Sequence, residues 1–81
     1  IQLSRVHFAF IDGSHTYVDV FYELNYVANR QIKNDIIVID DYNLQYPGLI
    51  KATSKIIKNY NYSLELINSS SNRTYAVCVK N

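Results

Sequence analysis

Cysteine, proline and glycine are scarce in this chain: one Cys, one Pro and two Gly in 81 residues. A single cysteine excludes a disulfide within the chain, and Cys78, set in the apolar run AVCV, reads as a buried and inert thiol. The two glycines, Gly13 and Gly48, belong to no GxGxG pattern, which leaves the chain without a glycine-rich cofactor loop. No apolar stretch approaches the ~18 residues of a membrane span. The opening IQLSRVHF lacks the cationic and apolar regions of a signal peptide, so the cytoplasm is the expected location. A basic cluster is missing too. The eight Lys and Arg are scattered and nearly balanced by seven acids, for a net charge of +1, which speaks against nucleic acid as a partner.

What is present is apolar: 48% of the residues, enough to exclude disorder. Eighty-one residues make at most one domain. A chain this short buries only about 60–65% of its unfolded surface, so its stability is expected to be marginal without help. The eight tyrosines fall mostly within helical and strand-like stretches, where packing explains them better than base stacking.

Val6–Ile11 is a short, nearly continuous apolar run and reads as a strand covered on both faces. His7, the one interruption, reads as a packed or edge residue. Asp12-Gly13-Ser14 ends the strand. Thr16 is a good N-cap, with Asp19 placed to reach back to it as a shortened capping box. Apolar residues from Tyr17 to Ala28 then keep helical spacing to about Arg30. Ile36–Ile39 is a second β-branched strand and stops at Asp40-Asp41. Pro47 suits the first position of a second helix whose stripe runs to Tyr60, with Lys51, Lys55 and Lys58 on its solvated side. Tyr62–Ile67 and Thr74–Lys80 read as a hairpin joined by the polar loop Asn68–Arg73. The order βαβαββ predicts an α/β fold with a parallel pair of strands and an antiparallel addition. Ligands of such sheets sit beyond the carboxyl ends of the strands, where Asp12, Asp40 and Asp41 fall.

The motifs FIDGSHTY, IIVIDDYN and YPG, in this order and spacing, resemble the class I S-adenosylmethionine-dependent methyltransferases. They look most like the small-molecule O-methyltransferases that include macrolide and cephalosporin tailoring enzymes. The resemblance covers essentially the whole chain, but only the second half of that domain. It implies a Rossmann-like half sheet of about four strands, ordered 4-5-7-6 in the family's 3-2-1-4-5-7-6 numbering, with two helices. Residues 1–81 then form a single partial domain lacking the cofactor-binding N-terminal half. By the same resemblance Asp12, Asp40 and Asp41 match the acids that hold Mg²⁺, and His15 takes a position suited to a general base. Two departures stand out: Ser14 replaces a second acid of the first motif, and Lys33-Asn34-Asp35 replaces a Pro-Gly-Gly turn.

The implied function is metal-assisted O-methyl transfer to a small molecule, not carried out by this chain alone. S-adenosylmethionine binding is expected only if a complementary half or an oligomer completes the site. The alternative is a non-catalytic, oligomeric module that binds a small ligand or a protein. Both helices are expected on one face of the sheet, which leaves an apolar face and the first strand's edge bare. A homodimer or higher oligomer, or a complementary N-terminal half, is therefore the expected partner. Nucleic acid and membrane are not.

Overall fold

A computed structural model of the chain describes residues 4–69, 71 and 73–81. The elements run β1 (Phe8–Ile11), α1 (Tyr17–Ala28), β2 (Ile36–Ile39), α2 (Pro47–Tyr60), β3 (Tyr62–Asn68) and β4 (Thr74–Lys80). They form one four-stranded sheet in the order β1-β2-β4-β3. β1 and β2 are parallel, and β4 is antiparallel to both β2 and β3. This is the α/β half sheet expected from the sequence, with the two helices between and after the parallel strands. Among the described residues no helix is long and apolar enough to cross a membrane.

β1 begins two residues later than its apolar pattern predicts. The N–H of Val6 is drawn to the carbonyl of Arg30 at the end of α1 (2.9 Å) instead of to a strand partner. Arg5, just before it, is tied to Asp35 by two bonds of 2.7 and 3.1 Å. α1 starts at the predicted cap, where Thr16 Oγ1 accepts from the Asp19 N–H at 3.4 Å. The return arm differs: Asp19 accepts from the Ser14 hydroxyl (3.0 Å), and Ser14 Oγ accepts from the Thr16 N–H (3.2 Å). Aspartate is one methylene shorter than the glutamate of an ordinary capping box, and Ser14 fills the gap. The helix stops two residues before Arg30, as Asn29 closes onto the Asn25 carbonyl with both its N–H (3.1 Å) and its side-chain amide (2.9 Å).

α2 begins at Pro47 as expected, where the missing N–H costs nothing. It ends at Asn61 in the left-handed region (φ 61°), a conformation that asparagine tolerates better than most residues. The Lys80 ammonium donates to the last helical carbonyl, that of Tyr60. The hairpin forms as predicted, with β3 one residue longer; its loop residues Ser70 and Asn72 lie outside the described set.

Both helices pack on one face. Val20, Leu24 and Val27 of α1, and Leu49, Ala52 and Ile56 of α2, close over Ile37, Ile39, Ala76 and Cys78. Leu24, Ile37, Ile39 and Leu49 are fully buried, each worth about 1.5–3 kcal/mol. Burial pushes the Cys78 thiol up to about 12, in keeping with an inert core residue. Tyr62 is likewise raised to about 12 by burial, and its hydroxyl donates to Gln31 Oε1 at 2.5 Å.

The expectation that β1 and β2 are covered on both faces does not hold within these residues. Alternation in the strands sends Phe8, Phe10, Ile36 and Val38 to the other side, together with Val77 and Val79 of β4 through the pairing register. None of these six belongs to the core, and Phe8 and Phe10 are 59% and 49% exposed. His7 is exposed as well. Only one layer of helices is available here, because both crossovers pack on the same side.

Candidate functional site

The parallel pairing of β1 and β2 runs one step past the strands. The Asp40 N–H donates to the Ile11 carbonyl at 3.0 Å, which sets Asp40 beside Asp12 at the carboxyl edge. Asp41 follows in the left-handed region (φ 56°), turning the chain sharply out of the sheet. That turn brings its side chain back toward its neighbours. One carboxylate oxygen each from Asp12, Asp40 and Asp41 lies within 4.8 Å of the other two. The three acids singled out in the sequence are thus brought together.

The spacing suits a hard divalent cation. Adjacent ligands of an octahedral Mg²⁺ stand about 2.9 Å apart and opposite ones about 4.1 Å, and at most one pair among three can be opposite, so the side chains draw together by up to about 2 Å to close the set. Three carboxylates leave further coordination positions open to water or substrate oxygens. The acids differ in their surroundings: Asp12 is exposed, Asp41 half-buried and Asp40 buried. Asp40 is also the most fully engaged. Its Oδ1 accepts from the Asp41 N–H at 2.7 Å and its Oδ2 from Arg73 Nη2 at 3.0 Å.

His15 lies in the same site. Its Nε2 is 3.1 Å from Asp41 Oδ2, and its ring stacks on Tyr46 with centroids 3.7 Å apart and planes 12° from parallel. When Nε2–H donates to Asp41, the carboxylate fixes the tautomer and leaves the Nδ1 lone pair free to accept a proton. Ser14, at the place of a second acid in the resembling family, faces away from this cluster and serves the cap of α1.

Gly48 shapes the floor. A Cβ there would come within 2.8 Å of the Tyr17 N and 3.2 Å of the His15 carbonyl. Its lack of a side chain lets the start of α2 press against the loop that carries His15. Pro47 and Gly48 together place Tyr46 under the imidazole.

Two site residues escaped sequence reasoning. Arg73 sits before the last strand and is remote in sequence from both acidic motifs. Only the register of β4 on β2 reveals it, with Ile39 opposite Ala76 and the Tyr42 N–H on the Thr74 carbonyl (3.0 Å). Tyr46 carries no motif, and its role follows from the packing of Gly48. Among the described residues the site is an open surface, with no enclosed cavity.

The architecture is a four-stranded α/β half sheet with two helices on one face. No family model matches the chain, and no curated protein matches it in sequence. Among solved structures it is similar to the crystal structure of a "putative O-methyltransferase" from Klebsiella pneumoniae, with a TM-score of 0.61 over 99% of this chain and 10% sequence identity. The chain spans 42% of the length of that protein. The likeness is one of fold: this chain has the architecture of part of a methyltransferase-like domain.

Proposed function

We propose that this chain is the acid-bearing half of a metal-assisted, S-adenosylmethionine-dependent O-methyltransferase acting on a small molecule, of the kind that tailors macrolides and cephalosporins. The observation that carries this reading is the convergence of Asp12, Asp40 and Asp41 within 4.8 Å at the carboxyl edge of a parallel strand pair. Those three residues would hold Mg²⁺, whose contribution when bound is to lower the pKa of a coordinated substrate hydroxyl and orient it. His15 accepts the hydroxyl proton at Nδ1, and Asp41 stabilises the imidazolium that results. Tyr46, stacked on the ring, fixes its plane. The cofactor's own site is not supplied by these residues: the sequence has no glycine-rich loop, and the described residues form an open surface instead of a cleft. Methyl transfer therefore requires a complementary half or an oligomer that completes the site.

A second reading, a non-catalytic binding module, draws support from Asp40. Both its oxygens are already satisfied by Arg73 and a backbone N–H, so the cluster holds together without an ion. A calorimetric titration of Mn²⁺ and Mg²⁺ into the purified chain separates the two. Saturable binding in the range of about 10–1,000 μM, weakened at least about 10-fold by Asp41→Asn, supports the metal site. Absence of binding by the unsubstituted chain favours the non-catalytic module.

A further inference from the structure

We propose that Arg73 recognises a carboxylate on the substrate, which makes the substrate of this site a small hydroxy acid; the inference rests on the metal-assisted reading above and deepens it. The chain has three arginines, and two of them are taken up by the fold. Arg5 closes side-on over Asp35, with Nε and Nη2 at 3.1 and 2.7 Å. Arg30 donates to the Tyr26 carbonyl at 2.7 Å, and its guanidinium carbon lies 3.6 Å from the centroid of the Tyr26 ring. Arg73 is bonded differently. A single donor, Nη2, reaches Asp40 Oδ2 at 3.0 Å, and among the described residues Nε and Nη1 have no partner.

Its position is set by bonds within these residues and does not depend on what completes the domain. The Arg73 carbonyl accepts from the Ser69 N–H at 2.8 Å, and the Arg73 N–H donates to Ser69 Oγ at 3.3 Å, which pins the backbone at the start of β4. From there the side chain crosses to an acid 33 positions earlier. It ends half exposed at the carboxyl edge, beside the three carboxylates.

Charge selects the ligand. Without a cation, three carboxylates outweigh the one guanidinium, and an anion is repelled. A divalent cation on Asp12, Asp40 and Asp41 brings the four side chains and the ion to zero net charge. The cation then neutralises Asp40, and the guanidinium regains a positive field of its own. Its planar fork is the donor set that matches a carboxylate with two parallel bonds. A substrate that carries a hydroxyl for the cation and a carboxylate a few atoms away engages both groups. A neutral alcohol engages only the first.

Calorimetry under nitrogen on the chain saturated with Mn²⁺ tests this with a matched pair of probes. Protocatechuate and catechol share a chelating diol and differ in one carboxylate. The acid should bind at least about 10-fold tighter than the neutral diol, and the preference should disappear when Mn²⁺ is left out. Arg73→Gln should bring the ratio of affinities to about 1, and Arg73→Lys, a point charge without the fork, to about 3. A merely structural loss does not move this ratio, because both probes meet the same folded site. If Arg73→Gln does not fold, the lysine variant gives the reading. Lys51→Gln removes the cation that lies 5.5 Å from the Tyr17 ring centroid, and it should leave the ratio unchanged. Failure of the chain to take up Mn²⁺ overturns the metal-assisted reading and this inference with it. Mn²⁺ uptake followed by equal binding of the two probes, or by binding of neither, overturns this inference alone. So does a preference that survives in Arg73→Gln or is lost in Lys51→Gln.

Discussion

The guanidinium of Arg73 lies 3.0 Å from one oxygen of the Asp40 carboxylate. The pair is asymmetric, since Asp40 is 3% exposed at its side chain and Arg73 53%. The buried partner depends on the exposed one. Arg73 thereby supplies positive charge to a cluster of three carboxylates, on the Asp40 side, while His15 contacts Asp41.

Arg73→Gln separates these two roles. Loss of the guanidinium leaves a buried carboxylate oxygen without its charged partner, for an expected cost of about 1–3 kcal/mol, reduced from a fully buried pair because Arg73 reaches solvent. The same change frees Asp40 Oδ2, so Mn²⁺ affinity should rise by about 3- to 10-fold. Denaturant unfolding and calorimetry on one preparation measure both. A stability loss with no gain in affinity would mean that Asp40 does not serve as a ligand.

Gly48→Ala tests the packing beneath His15. Alanine in place of glycine within a helix gains up to about 1 kcal/mol from propensity. The new Cβ would stand 2.8 Å from the Tyr17 N, a backbone atom that cannot rotate away, and such overpacking costs about 1–3 kcal/mol. The net expectation is destabilisation with a displaced His15. A variant more stable than the parent would contradict the close approach of α2 to the His15 loop.

Acid stability has an assigned source in the Arg5–Asp35 pair. The hydrogen bond from Arg5, then that from the Ile32 N–H, hold the Asp35 carboxyl down at about 2, against an ordinary value of 3.8. Because the folded value is the lower one, the unfolded chain binds the proton more tightly. The pair's contribution is complete above about pH 4 and disappears as the pH falls through 2. Arg5→Gln should therefore lower stability at pH 7 and pH 5, with the gap narrowing toward pH 2. Urea midpoints at these three values decide it, and a gap that stays constant down to pH 2 would assign the loss to packing.

The element order, the second strand, the proline start of α2 and the final strand were all legible from periodicity and punctuation. Local signals carry those features: β-branched runs, Pro47 at a helix start, Thr16 at a cap. The convergence of Asp12, Asp40 and Asp41 was legible because the two acidic motifs each end a strand and parallel strands bring like ends together. Arg73 was not legible. Its place depends on the antiparallel register of β4, which is set by side-chain packing across the sheet and leaves no mark near residue 73. The first strand's start and the end of α1 were misplaced for a similar reason, since Arg30 and Val6 satisfy one another across the fold.

β4 lies between β2 and β3, although β3 precedes it along the chain. β3 is held in the sheet by β4 and has no pairing with β2. The hairpin is joined to the parallel pair through β4, which also carries Arg73 to Asp40 and covers the edge of β2. The integrity of the acidic cluster is thus coupled to the docking of residues more than thirty positions away. Seating of the last strand thus completes the charge balance around Asp40.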